Sequence, residues 1–266
     1  MLYLIATPIG NLKDITLRAL EILQQCDYVL CEDTRHSRIL LDEYKIDKPL
    51  KSFHQFNEKE MEAKVIADLK AGKEISLISD AGTPGICDPG EALIRACYAE
   101  NLMFTSLPGP SAWAVALSLC PFSKERVQFI GFLPKKEEER KRALASSLSS
   151  SATTIFYESP HRLVDSLEML PKNRRACVMR ELTKKFEEHR LGTSTELTAH
   201  YKENPPKGEI VAIVEGNSQD YSSWTLQEHV KFIESEFGVS TAEAIKIVAD
   251  LRDISKRDVY KAIHSF

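Results

Sequence analysis

The sequence has no apolar run long enough to cross a bilayer: the longest, around 112–120, is about half the ~20 residues a membrane helix needs. It reads as strand from residue 2 onward, so a charged and apolar secretory leader has no room and none is expected. Six cysteines (26, 31, 87, 97, 120 and 177) form no C-x-x-C pair and have no histidine at zinc spacing. They read as reduced, mostly buried thiols of a cytoplasmic protein that holds no metal. Basic charge is not in excess. Lys and Arg number 35 against 39 Asp and Glu, a net charge of −4. That argues against broad nonspecific nucleic-acid binding, though not against a local basic patch. Neither G-x-G-x-x-G nor G-x-x-x-x-G-K-[ST] occurs, so the pyrophosphate-selective cradles are missing. Without G-x-S-x-G, hydrolase chemistry is disfavoured. No repeat of fixed period is found.

What is present is a regular alternation. Short apolar runs at 2–6, 28–31, 75–79 and 104–107 read as buried strands. Helical spacing follows at 14–25, 61–70 (stopping at Gly72) and 91–100. The pattern predicts an α/β fold with a mostly parallel sheet covered on both faces. A second α/β block begins near residue 127, with strands at 127–132, 153–157, 176–180 and 209–215 and helices at 137–148 and 162–170. A polar stretch at 216–223 reads as a linker. Beyond it, helices are expected near 225–237, 241–250 and 255–264, with Ser240 and Ser255 at N-cap positions. The expected organisation is an N-terminal α/β domain at 1–120, a second at 121–220 and a helical tail at 224–266.

Three strands of the first block end in loops rich in Pro and Gly: TPIGN (7–11), DAGTPGICDPG (80–90) and PGPSA (108–112). They hold five of the twelve Pro and five of the eleven Gly in fewer than a tenth of the residues. Any one of them could be ordinary turn chemistry. In a parallel sheet, however, all three lie on the edge where ligands bind. Gly permits close approach of the backbone, and Pro fixes φ and removes a donor. Such loops suit a ligand read through main-chain groups rather than through a pyrophosphate.

The segments LIATPIGNLKDITLRAL (4–20), CEDTRHSRILL (31–41), FHQFNE (53–58), SLISDAGTPGICDPG (76–90), LPGPSA (107–112), FIGFLP (129–134), FYESPHRL (156–163), RELTKKFEE (180–188) and KGEIV (207–211) carry a family likeness. In this set and order, over nearly the whole chain, the sequence resembles the tetrapyrrole-methylase-fold methyltransferases, which use S-adenosylmethionine. Within them it is similar to the small-subunit ribosomal RNA branch, known for 2′-O-methylation of a cytidine ribose in the decoding region of 16S rRNA. The resemblance implies two α/β domains with the cofactor in the cleft between them, a homodimer, and 16S rRNA within the 30S subunit as partner. It implies cofactor contacts at Pro8, at Ala81, Gly82, Thr83 and Ile86, at Ser111 and Ala112, and at Tyr157, Glu158 and Leu182. Thr83 departs from the family pattern, standing where relatives with a Gly-Gly-Asp-Pro-type loop carry Asp. Asp80, Thr83 and Asp88 are all open candidates for that polar contact.

Methyl transfer from a sulfonium to a ribose hydroxyl calls for positioning, and for a base or a cation at the forming alkoxide. Glu32, Asp33, Arg35, His54, Asn57, Lys184 and Glu187 are the candidates, with Lys184 and Glu187 foremost. Each has a plainer alternative. Glu32 and Asp33 could cap the next helix. His54, between Phe53 and Phe56, could be a packed ring. Arg180, Glu181 and Lys184 could form a structural ion-pair network, and Glu187 and Glu188 a solvated helix face. A Lys acting as base would need its pKa lowered.

For RNA, the densest basic group is Lys135, Lys136, Arg140, Lys141 and Arg142, which His161 and Arg162 could extend. That group is interrupted by Glu137, Glu138 and Glu139 and could equally be a solvated helix. Two rival functions stay open: a methyltransferase of the same fold acting on a tetrapyrrole or a protein side chain, and a noncatalytic RNA-binding protein. CEDTRHSRILL, YESPHRL and the tail favour the RNA branch over the first, and the intact loop set argues against the second. In the tail (224–266), SKRDVY (255–260) resembles the family's helix-turn-helix-like tail, where packing or dimer support stays as open as RNA contact.

Overall fold

Strands covered on both faces need apolar side chains on both, and the first block supplies them. The computed structural model describes residues 1–54, 56–219 and 221–264. In it β1 (Leu2–Ile5), β2 (Tyr28–Cys31), β3 (Leu50–Ser52), β4 (Ile75–Ile78) and β5 (Phe104–Leu107) form a sheet in the order β3-β2-β4-β1-β5. Every pairing in it is parallel. Alternation along the strands sorts the core into two layers. Ile5, Val29, Cys31 and Ile78 join Ala19 and Leu23 of α1 (Leu17–Gln25) and Leu40 and Leu41 of α2 (Thr34–Glu43). Leu2, Leu4, Leu30, Ile75 and Leu77 join Val65 and Leu69 of α3 (Glu58–Lys70) and Leu93 and Cys97 of α4 (Glu91–Ala99). The chain divides into two units, the first Met1–Val115 and the second from Ala116 onward, so the boundary falls inside α5 (Ala112–Leu119).

The second unit has a mixed sheet of β6 (Val127–Phe132), β7 (Thr153–Glu158), β8 (Arg175–Arg180), β9 (Glu188–Thr193) and β10 (Ile210–Val214). Its order is β6-β7-β10-β8-β9, with β6 and β7 parallel and the other pairs antiparallel. One core joins this sheet to α6 (Glu137–Leu148), α7 (Leu163–Glu168), α8 (Ser194–Glu203), α9 (Leu226–Phe237), α10 (Thr241–Leu251) and α11 (Lys256–His264). Leu144, Phe156, Val230, Ile233, Val248 and Val259 all belong to it. Ser240 caps α10 by accepting from the Glu243 amide, and Ser255 accepts from the Asp258 amide at the start of α11.

Two strands differ from the sequence expectation. β3 is three residues of half-buried chain that carry no alternation to read. β9 rules out the solvated helix face weighed as an alternative for Glu187 and Glu188: Glu188 opens this edge strand in register with Arg180, and Glu187 lies in the preceding turn. Five cysteines are buried and Cys87 is exposed. Among the described residues no helix is long and apolar enough to cross a membrane, and no cluster of three or more His, Cys, Asp or Glu could hold a metal.

Candidate functional site

Because the first sheet is parallel, its five strands deliver their following loops to one edge. Main-chain pairing ties the first two Pro/Gly loops together. The Thr7 amide donates to the Gly82 carbonyl at 2.9 Å, and the Gly82 amide donates to the Thr7 carbonyl at 3.0 Å. Thr7 Oγ1 donates to the Ser79 carbonyl (2.9 Å) and Ser79 Oγ to the Gly82 carbonyl (3.0 Å). Thr83 Oγ1 donates to the Pro110 carbonyl at 3.2 Å, which brings in the third loop. Gly82 has φ +84°, a conformation that costs an L-residue strain. A small pocket opens at this rim, lined by Thr7, Pro8, His36, Ile39, Ser79 and Asp80 among others. Gly82 and Pro8 are buried, Ala81 and Ile86 are exposed, and Thr83, Ser111 and Ala112 are partly exposed.

Carboxylates gather at the same rim. The Asp33 amide donates to Asp80 Oδ1 at 3.3 Å, linking the ends of β2 and β4. Burial pushes the Glu32 carboxyl above its ordinary pKa, and the charge of Asp80 adds to this; the Asp80 amide and His54 partly offset the rise. Asp88 is raised to about 7, first by burial and then by the charges of Glu32 and Asp80, against a hydrogen bond from Ser79. The loops 7–12, 79–90 and 107–112 contain no Lys or Arg. This part of the rim is therefore rich in negative charge and in main-chain groups.

The neighbouring candidates fall into structural roles. Asp33 is the N-cap of α2: its carboxylate accepts from the Arg35 amide at 2.8 Å and pairs with the Arg35 guanidinium at 2.8 Å. The Arg35 side chain and amide hold its pKa down to about 2, which leaves it a poor base. Asn57 uses its amide as a clamp, accepting from the His54 amide (2.8 Å) and donating to the Ser52 carbonyl (2.9 Å). His54 packs edge-on against Phe56, and its buried Nδ1 has no hydrogen-bond partner among the described residues.

In the second unit, register places the other candidates at one end of the sheet. Ile210 sits opposite Glu158 on one side and Arg180 on the other, and Phe132 pairs with Tyr157. The turn after β8 is unusual, with Glu181 at φ +53° and Thr183 at φ +64°. Lys184 Nζ lies 2.9 Å from both Glu181 Oε1 and Glu209 Oε2. Burial works to lower the Lys184 pKa, but the hydrogen bonds to Glu209 and Glu181 outweigh it and the net shift is upward. Lys184 is thus held as a cation, and the lowered pKa that a base there would need is not what its surroundings produce. Gly208, at φ +85°, leaves room for the Glu181 carboxylate where a Cβ would collide with it. Glu187 accepts from the Thr183 amide and pairs with His189 Nε2 at 2.9 Å.

The Tyr157 ring packs against Phe129 and Phe132, and Leu182 is buried. Glu158 is buried and fully engaged: it accepts from Ser166 Oγ (2.6 Å) and the Ser159 amide (2.7 Å) and pairs with Arg162 (2.7 Å). Of the basic group, Lys135, Lys136 and Arg142 are exposed, as is His161. Lys141 pairs with Glu137 and Glu138, and Arg142 with Glu243. Arg140 is only 4% exposed and donates to the carbonyls of Pro134 and Lys135, so it is withdrawn from the basic surface expected for it. The ties of Thr7 to Ser79 and Gly82 in the first unit, and of Lys184 to Glu209 in the second, join residues remote along the chain, which sequence spacing does not reveal. The one sign of the perturbed carboxyl at Asp88 is an acidic residue inside a long Pro/Gly loop.

A family model described as tetrapyrrole (corrin/porphyrin) methylases matches residues 1–198. A Halalkalibacterium halodurans protein named ribosomal RNA small subunit methyltransferase I is 41% identical over 272 residues, covering 99% of this chain and 94% of the relative. A Mesorhizobium japonicum protein of the same name is 48% identical over 218 residues, covering 80% of this chain and 74% of the relative. Among solved structures, a diphthine synthase superposes with a TM-score of 0.63 at 13% identity, covering 98% of this chain and 99% of that one. At that identity the likeness concerns the fold alone.

Proposed function

The chain belongs to the tetrapyrrole (corrin/porphyrin) methylase family, and from that premise we propose that it is an S-adenosylmethionine-dependent methyltransferase of 16S rRNA. Its product is a cytidine 2′-O-methylated in the decoding region, made on the assembled 30S subunit by a cytoplasmic homodimer. The observation that carries this reading is the 41% identity, over 99% of the chain, to a protein named for small-subunit ribosomal RNA methylation. The homodimer, the 30S context and the cytidine rest on the resemblance carried by the motif segments.

The residues present fit the cofactor. S-adenosylmethionine bears a sulfonium and an ammonium and has no phosphate. The rim offers three carboxylates, no Lys or Arg in its three loops, and main-chain groups fixed by the Thr7–Gly82 pairing. Pro8, Ala81, Gly82, Thr83, Ile86, Ser111 and Ala112 would hold it, with Asp80 or Asp88 answering its positive charge. Bound, it supplies an electrophilic methyl group. Glu32 is the carboxylate suited to take the ribose proton, because burial and Asp80 raise its basicity while Asp33 is tied to Arg35. Lys135, Lys136, Arg142 and His161 are the exposed groups for the phosphate backbone.

The test is tritiated methyl transfer from S-adenosylmethionine, run in parallel on 30S particles, naked 16S rRNA and precorrin-type substrates. Label in the RNA of 30S particles, resistant to alkaline cleavage at one ribose, is the expected result. Label confined to the tetrapyrrole overturns the assignment.

A further inference from the structure

The last helix is two-faced. At about 100° per residue, Lys256, Tyr260, His264, Arg257 and Lys261 of α11 share one arc, and all five are exposed. The inward side carries Val259, which is buried, and Ile263, which packs on the core of the second unit. Asp258 lies off the arc and is engaged with Ser255 Oγ at 2.7 Å. The Tyr260 and His264 rings stack with centroids 4.1 Å apart and planes 21° from parallel, while Tyr260 remains 55% exposed. A parallel aromatic pair inside a cationic arc is an unusual surface for a chain whose net charge is −4. It also lies beyond the matched family model, which ends at residue 198, whereas the ribosomal RNA relative matches 99% of the chain.

We infer that this face of α11 binds a single-stranded stretch of the RNA substrate, with Lys256, Arg257 and Lys261 on phosphates and the Tyr260–His264 stack against a base. The inference deepens the reading of the chain as an rRNA methyltransferase and rests on it. Charge complementarity selects the occupant, because a cationic arc matches a phosphate chain. The exposed aromatic face favours unpaired bases over duplex, whose bases are already stacked on one another. The core side of α11 is untouched by this arrangement, so the residues offered to RNA are separable from the packing residues.

Two full-chain variants test it: K256A/R257A/K261A and Y260A. Binding of a fluorescein-labelled 20-nucleotide single-stranded RNA, followed by anisotropy, needs no turnover. The triple variant is expected to flatten the slope of log Kd against log salt by up to about 2, at roughly 0.7 for each phosphate left without its cation. Y260A is expected to weaken binding roughly 5- to 100-fold. On 30S particles both should raise KM and leave kcat and the S-adenosylmethionine Kd unchanged. Unaltered RNA affinity and salt slope in both variants overturns the inference, as does a change confined to the sedimentation state, which would make the face a contact between copies. If the unaltered chain binds RNA through this face yet transfers no methyl to it, the functional reading fails while this inference stands.

Discussion

Thr7 and Gly82 exchange both of their main-chain hydrogen bonds, at 2.9 and 3.0 Å, across 75 positions of sequence. The pair fastens the loop after β1 to the loop after β4 and leaves Ala81 exposed at the rim. Gly82 can close it because its φ is +84°. Gly82→Ala has space, the nearest atom to its Cβ being Ile9 Cγ2 at 3.6 Å, so its cost is the backbone strain of about 1–2 kcal/mol. Calorimetry should show S-adenosylmethionine bound roughly 5- to 30-fold more weakly, the same strain expressed as affinity, with Tm lowered by a few degrees. Unchanged affinity would separate the latch from the cofactor.

Glu32 and Asp33 are adjacent and have opposite prospects. Glu32→Gln should lower kcat by about 100-fold or more while changing the cofactor Kd by less than about threefold. Asp33→Asn should act mainly on stability, since it weakens the cap of α2 and the tie to Arg35. A modest fall in the urea midpoint, with near-normal turnover, is the expected reading. Equal kinetic losses in both variants would argue against the division of roles.

Asp88 makes stability depend on pH. Its carboxyl is raised in the folded state to about 7, whereas an unfolded aspartate titrates near about 4. Between these values the folded chain holds a proton that the unfolded chain has released, so stability falls as pH rises from about 4 to 7. Asp88→Asn removes that loss. At pH 8 the variant should be the more stable by on the order of 1 kcal/mol, because partial exposure screens the buried charge, and the gap should close near pH 4. A gap independent of pH in thermal melts would contradict this origin.

Glu158 and Arg162 form a pair whose carboxylate is inaccessible to solvent. Arg162→Ala leaves that charge with only Ser159 and Ser166, and should cost about 3 kcal/mol in chemical denaturation. Arg162→Ala combined with Glu158→Gln should recover part of the loss. No recovery would mean that the packing of the Arg162 stem, not the stranded charge, is what matters.

Lys184 is held between two carboxylates, and its raised pKa keeps it charged. The rate of methyl transfer should therefore show no ionisation of Lys184 between about pH 7 and 9.5, below the ordinary lysine range. Lys184→Ala should depress turnover and spare cofactor binding. An ionisation in that range that disappears in Lys184→Arg would restore the lysine as a base.

The elements legible in the sequence are those whose pattern is local. β1, β2 and β4 are apolar on both faces, and Ser240 and Ser255 announce two of the tail helices. β3 has too few residues to show a period, and in β9, an edge strand reading EHRLGT, Glu188 is paired with Arg180 of β8 and with Arg190 of its own strand. In the site, the Pro/Gly loops were legible as a group because a parallel sheet gathers them. The roles of Asn57 and Arg140 were not, because each depends on partners, such as Ser52 and Pro134, that spacing along the chain does not reveal; for Lys184 the pair with Glu181 was legible as an alternative and the pair with Glu209 was not.

The strand order has a consequence for how the chain folds during synthesis. β1 lies between β4 and β5, pairing Leu4 with Leu77 and Ser106. Once made, β1 must wait for its neighbours until roughly 70 and then 100 more residues have followed, a delay of several seconds at ~5–20 residues per second. Until β4 is made both edges of β1 are open, and until β5 is made one still is. β1 is therefore the segment with most need of a chaperone, and β5 is the strand that ends that exposure.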